Sequence, residues 1–147
     1  MKLKIKRLSQ TAKLPLRATP YAAGADLYAD LRQPLTLVPG QRAGIPTGIA
    51  VEPEESGYGI FLFARSGLAC KQGLTLSNSV GVVDADYRGE LVVWLTNLGN
   101  APYTVTPGER IAQLVVLPVE YCEFIESETL SDTVRGAGGF GSTGTGK

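Results

Sequence analysis

Histidine is missing from all 147 residues of this chain. That absence removes imidazole acid/base catalysis, His-ligated zinc and every nucleophile triad built on histidine. Any catalytic proton has to move through a carboxylate or through water. Net charge is missing as well: 14 basic and 14 acidic side chains cancel. No global field therefore draws the protein to nucleic acid or to a membrane surface, and an anionic ligand must be held by local chemistry. No apolar run approaches the length of a bilayer span, and there is no internal repeat. Cysteine is scarce: Cys70 and Cys122 lie far apart with no signal peptide before them, a pattern that fits free thiols in a reduced, cytoplasmic protein.

What is present is enough apolar content, 44% of residues, to bury one core in one domain. Short apolar runs alternate with turn residues drawn from 18 glycines and 9 prolines, which is the pattern of an all-β chain. The runs predict strands over Lys2 to Lys6, Gln41 to Val51, Tyr58 to Phe63, Glu90 to Thr96, Arg110 to Leu117 and Tyr121 to Ile125. Turns fall at Pro39-Gly40, Asn97-Leu-Gly-Asn100 and Pro107-Gly108. Ser66 is placed to cap a single helical turn through Lys71. A twisted sandwich or jelly roll follows, with Val92, Trp94 and Leu95 read as packing residues rather than functional ones.

The last thirteen residues, Arg135 to Lys147, hold six glycines around one arginine, one phenylalanine and a Ser-Thr pair. A terminal Gly/Ser/Thr run is ordinarily a disordered tail, but a tail has no use for Arg135 or Phe140. Glycine lets successive N–H groups turn toward an anion, Arg135 offers a bidentate fork, and Ser142 and Thr143 add hydroxyl donors. The stretch reads as a flap closing over a nucleotide, with Phe140 flat on the heterocycle. Gly141 to Lys147 also matches the opening of a P-loop, yet the chain ends where the metal-binding hydroxyl and the following helix should come.

Four further segments place polar residues where packing does not need them. In Ala23-Gly-Ala-Asp-Leu27, Asp26 suits either a turn or a carboxylate facing a hydrated cation. Ala64-Arg-Ser-Gly-Leu-Ala69 follows an apolar strand, so free N–H groups at a helix start would lie beside the positive charge of Arg65. Ser66 is a poor nucleophile candidate, since Lys71 is at the wrong spacing for a Ser-x-x-Lys dyad. Asn78 to Glu90 carries Asp84 and Asp86, which share a face if the strand continues, and which fit a turn equally well. Asn78 has the donors and acceptor to read the edge of a base. In Pro107-Gly-Glu-Arg-Ile-Ala-Gln113, Gln113 interrupts an apolar run, as a ligand contact or as a satisfied core amide.

Taken in order, AGADL at Ala23, RSGLA at Arg65, GVVDADYRGEL at Gly81, PGERIAQL at Pro107 and RGAGGFGSTG at Arg135 resemble the five motifs of the trimeric dUTP pyrophosphatases. The resemblance spans nearly the whole chain. It implies a jelly-roll (β-clip) subunit over residues 1–134, a glycine-rich arm over residues 135–147, and a homotrimer with active sites at subunit interfaces. The implied reaction is Mg2+-dependent conversion of dUTP and water to dUMP and pyrophosphate, which limits uracil incorporation into DNA and supplies dUMP for thymidylate synthesis. Carried over residue by residue, Asp84 would activate water and Asn78 would contact uracil, with the hairpin backbone near it rejecting cytosine and thymine. Tyr87 would lie under the deoxyribose. Ser66, Gly67 and Gln113 would hold phosphate oxygens, with Arg65 ordering that site and Asp26 touching waters on the magnesium. Arg135, Ser142 and Thr143 would close on the γ-phosphate, Phe140 would stack on uracil, and Gly81 and Gly141 complete the substrate-contacting set. Ala64 and Ala137 depart from the commonest pattern without removing a chemical group. Two rival readings share the fold: dCTP deamination, whose family carries Arg-Ser-Ser and a catalytic glutamate, and a non-catalytic nucleotide sensor.

Overall fold

Alternate side chains along Val92–Asn97 are turned inward and outward. Val93, Leu95 and Asn97 are buried, while Val92 and Trp94 are exposed, which is the period of two that a half-buried strand imposes. The computed structural model describes residues 1–142 and Gly144. Among them run β1 (Leu3–Arg7), β2 (Ala25–Tyr28), β3 (Leu35–Leu37), β4 (Arg42–Pro46), β5 (Ile49–Pro53) and β6 (Tyr58–Ala64). These are followed by α1 (Ser66–Gln72), β7 (Leu74–Leu76), β8 (Gly81–Val83), β9 (Val92–Asn97), β10 (Tyr103–Val105) and β11 (Arg110–Pro118).

The strands pair antiparallel in four small sheets, ordered β2-β11-β6-β8, β4-β9-β7, β1-β5 and β10-β3. Their inner faces meet in one core that includes Leu27, Ile45, Ile60, Leu95 and Ile111. This is the all-β, jelly-roll architecture that the punctuation of the sequence implied, with one short helix. Val105 is buried at the end of β10, and Asn97 is satisfied inside by donating to the carbonyls of Leu37 and Ala101, each at 2.8 Å.

Several local expectations change. The strand expected over Gln41 to Val51 is two strands, because Thr47-Gly48 breaks it: Gly48 has φ of 67°, and a side chain there would run into Ala12 and the Asp30 carboxylate. The segment Tyr121 to Ile125 forms no ladder, and Tyr121, Phe124 and Ile125 are exposed, since among the described residues no strand runs beside it. Short strands β2, β3, β7, β8 and β10 were not anticipated. Trp94 and Val92 lie on the outer face instead of packing inside, while Leu95 is fully buried. Ser66 does not cap the helix. The N-cap is Arg65, with extended φ and ψ of −81° and 126° and no capping side chain, because a guanidinium has no acceptor to offer the first N–H groups. The helix closes at Gly73, whose φ of 70° lets its N–H return to the Ala69 carbonyl.

Candidate active site

Three neighbouring strands, β2, β11 and β6, bring the first group of candidate residues together. Gln113 of β11 is opposite Asp26 on β2 and opposite Phe63 on β6, and Arg65 follows directly from β6. Asp26 is 4% exposed. Its Oδ1 accepts from Arg65 Nε at 2.9 Å, and its Oδ2 accepts from Arg110 Nη1 at 3.1 Å. Arg65 also donates through Nη1 to the Arg110 carbonyl at 3.2 Å. One carboxylate therefore holds two guanidiniums, and the cluster keeps one net positive charge.

Arg110 was not singled out from the sequence. The register shift between Arg110 and Ala112 is what aims it: Ile111 and Ala112 are both buried in succession, and the bulge leaves Arg110 at the edge, facing Asp26. Its only sequence signal was membership of the Pro107 segment. Beside this cluster Tyr103 donates to Glu109 Oε1. Burial, then the hydrogen bond and the negative charge of Glu109, push the phenol up to about 12, with Arg65 opposing.

The first turn of the helix presents backbone donors to the same region. Leu68 and Ala69 N–H groups both return to the Arg65 carbonyl, so the Ser66 and Gly67 N–H groups ahead of them have no acceptor within the helix. Gly67 is exposed, and a Cβ there would meet nothing within 4 Å. Gln113 is half-buried, and its amide makes no hydrogen bond among the described residues. Its Cβ packs where a side chain at Gly24 would otherwise sit, 3.0 Å away.

Asp84 and Tyr87 form a second group. Both line a cleft of about 390 Å³ floored by Leu62, Val83, Leu91 and Trp94. Asp84 lies just past β8 in a turn closed by the Tyr87 N–H donating to the Asp84 carbonyl at 3.1 Å. The turn ends the strand pattern, and Asp86, also exposed, does not line the cleft. Gly81 is buried opposite Leu62, whose Cβ would stand 3.0 Å from a side chain at this position, so packing already accounts for glycine there.

Asn78 is exposed in the tight turn after β7, where Ser79 takes a φ of 62° and the Val80 N–H donates to the Asn78 carbonyl at 2.6 Å. With Arg42, Ser77 and Trp94 it lines a neighbouring cleft of about 390 Å³. Trp94 is the wall common to both clefts.

The arm stands apart. Arg135 donates through Nε to the Gly138 carbonyl at 2.8 Å and Gly138 N–H returns to the Arg135 carbonyl at 3.1 Å. Phe140 is fully exposed, with φ of 48°, and Gly141 follows with φ of 93°. Ser142 N–H donates to the Gly139 carbonyl at 3.0 Å. Thr143 lies outside the described residues. Within the single chain the structure thus joins Asp26, Arg65, Ser66, Gly67 and Gln113, joins Asp84 with Tyr87, sets Asn78 across Trp94, and leaves the arm facing solvent.

An all-β chain carrying these separate polar groups defines a class already represented among solved structures. A variant of the Staphylococcus bacteriophage 80alpha dUTPase solved with dUpNHpp superposes with a TM-score of 0.88 at 30% identity, covering 97% of this chain and 98% of that one. A variant of the dUTPase from phage phi11 of S. aureus, described with a structural Mg(II) ion, gives 0.78 at 26% identity over 88% of this chain and 98% of that one.

The dUTPase family model matches residues 10–144, and the chain belongs to that family. It is 54% identical over 144 residues to the deoxyuridine 5'-triphosphate nucleotidohydrolase of Desulfitobacterium hafniense, covering 98% of this chain and 95% of the relative. To the enzyme of the same name from Chlamydia trachomatis it is 53% identical over 139 residues, covering 94% and 95%. Among the described residues no helix is long and apolar enough to cross a membrane.

Proposed function

We propose that the protein hydrolyses dUTP to dUMP and pyrophosphate as a homotrimer whose active sites are assembled from neighbouring subunits. The observation that carries this reading is the division of the candidate residues. The Asp26–Arg65–Arg110 cluster with its free helix N–H groups, the Asp84–Tyr87 cleft and the arm each hold part of a nucleotide site. None of the three holds all of it. The exposed apolar residues away from the clefts support assembly: Tyr121 is 72% exposed, Phe124 96% and Ile125 78%, a surface that a second copy would cover.

In the proposed reaction a water oxygen attacks the α-phosphorus, its proton passes to the Asp84 carboxylate, and the bond from the α-phosphorus to the bridging oxygen of the leaving pyrophosphate breaks. The Ser66 and Gly67 N–H groups and the Gln113 amide receive phosphate oxygens. Arg65 and Arg110 provide the positive field, held in place by Asp26. Asn78 and the backbone of its turn read the uracil edge, while Tyr87 underlies the deoxyribose. Arg135, Ser142 and Thr143 engage the γ-phosphate and Phe140 covers the base, with Gly141 beside it, while Gly81, buried opposite Leu62, can offer the substrate only its backbone.

The family resemblance implies a magnesium ion carried mainly by the triphosphate, and among the described residues no three carboxylates or cysteines converge as a metal cage. Asp26 fits an outer role. Each of its oxygens accepts from one arginine and keeps lone-pair capacity for a water of the hydrated ion. Bound there, the ion would neutralise charge on the phosphate oxygens. Two signals test the proposal: pyrophosphate release from dUTP, dTTP, dCTP and UTP in parallel, with Mg2+ and with chelator, and ammonia release from dCTP. Pyrophosphate from dUTP alone, dependent on Mg2+, is expected. Ammonia from dCTP would select deamination, and no product from any nucleotide would select a sensor.

A further inference from the structure

We infer that Gly89 is a positioning residue for sugar selectivity, because its missing side chain is the space in which the Tyr87 ring lies. The inference rests on the reading of Tyr87 as the group beneath the deoxyribose. A Cβ built on Gly89 would stand 2.5 Å from Tyr87 Cζ and 2.9 Å from Cε2, and closer still to the hydroxyl oxygen. All three separations are inside van der Waals contact. Backbone conformation does not explain the glycine, since Gly89 is not among the glycines with positive φ. It is the ring that demands it.

The loop around the ring is tied down on every side. Tyr87 Oη donates to the Glu90 carbonyl at 3.1 Å, and Arg88 Nη1 donates to the Ala85 carbonyl at 2.7 Å. The Gly48 N–H donates to Glu90 Oε1 at 2.7 Å, and the Leu91 N–H donates to the Ile49 carbonyl at 2.9 Å. The last two of these bonds anchor the backbone at Glu90 and Leu91 to Gly48 and Ile49, at the break between β4 and β5. A methyl group at Gly89 therefore moves the ring, which turns about side-chain bonds at the cost of its hydrogen bond to the Glu90 carbonyl, and leaves the backbone where it is. The ring lines the cleft it shares with Asp84, so its displacement alters that wall. The surface offered to the sugar changes while Asp84 stays in place.

The test is a four-enzyme cycle: wild type, Gly89→Ala, Tyr87→Ala and the double variant, each assayed for kcat and KM with dUTP and with UTP. Gly89→Ala is expected to narrow the dUTP/UTP ratio of kcat/KM about tenfold, the scale on which one methyl group in a fitted pocket acts, and to do so mainly through KM. In the Tyr87→Ala background the same substitution should leave the ratio unchanged, as residues acting through one group are not additive. A Gly89→Ala enzyme with the wild-type ratio, or a double variant with two independent losses, overturns the inference while leaving the Tyr87 reading intact. Equal hydrolysis of dUTP and UTP by the wild type removes that reading, and the inference with it. Circular dichroism completes the test: a Gly89→Ala chain that fails to fold would mean the backbone yields instead of the ring, and would also overturn it.

Discussion

Arg65 and Asp26 are joined by a 2.9 Å hydrogen bond from Nε to Oδ1, and through it the residue that starts the helix is fixed to the strand two places away in the sheet. Arg110 occupies the other carboxylate oxygen. The pair makes Asp26 an organiser of positive charge, whatever else it contacts when nucleotide is bound.

Asp26→Ala should therefore cost stability as well as activity. Removing the carboxylate leaves two guanidiniums side by side with no shared partner. Loss of one member of a fully buried pair costs roughly 3–5 kcal/mol. The Arg110 side chain is 48% exposed, so solvent recovers part of this, and a loss of about 2 kcal/mol is expected. Urea denaturation at fixed protein concentration measures it, and a change below about 0.5 kcal/mol would show that the pair is held without mutual stabilisation.

Asp84→Asn should have the opposite profile. The side chain is exposed and makes no hydrogen bond among the described residues, so the fold and nucleotide binding should persist. Turnover should fall at least ~10²-fold, because the amide keeps the shape but cannot accept the proton. Steady-state kinetics beside isothermal titration with a non-hydrolysable analogue separates the two effects. Retention of half the wild-type turnover would transfer the role of base away from Asp84.

The Tyr103–Glu109 pair predicts an alkaline limit. With the folded phenol pushed up to about 12 and an ordinary unfolded value near ~10, the native state keeps a proton that the unfolded chain has lost between those limits. The pair's contribution is thus fully present below pH ~10 and declines as pH rises toward 12. The stability difference between wild type and Tyr103→Phe should shrink across that interval in denaturation series at successive pH values. A difference that stays constant to pH 12 would contradict the assignment.

Removal of residues 135–147 should leave assembly and the melting temperature without ligand nearly unchanged. Arg135 and Phe140 are exposed and bond only within the arm among the described residues. Activity on dUTP should drop at least ~10²-fold, the scale of losing preorganised donors at a reacting phosphate. Light scattering and pyrophosphate release on the same sample decide it: normal hydrolysis would make the arm a tail, and loss of the trimer would make it structural.

The residues of this chain, read in order, determined the main strands, because apolar runs such as Ile60 to Phe63 and Arg110 to Leu117 favour a pleated, half-buried surface wherever they fall, and the structure extends each run by a residue or two at an end, through Tyr58 and Gly59 in β6 and Pro118 in β11. They also determined the chemical groups, since the absence of histidine leaves carboxylates, arginines and backbone N–H groups to do the work. Tertiary structure decided what depends on a neighbour. Periodicity shows that Trp94 and Leu95 face opposite ways, but only the position of the second sheet makes Leu95 the buried one. Tyr121 to Ile125 has the composition of a strand, yet a ladder needs a partner and none lies beside it among the described residues. Arg110 carries no special local signal, and a bulge aims it at a carboxylate 84 residues earlier in the chain. Ser66 has the side chain of a helix cap, but the cap position went to Arg65, whose guanidinium is drawn to Asp26. Local propensity is set by covalent neighbours, whereas faces, registers and charge pairs are set by segments distant in sequence that meet only when the core closes.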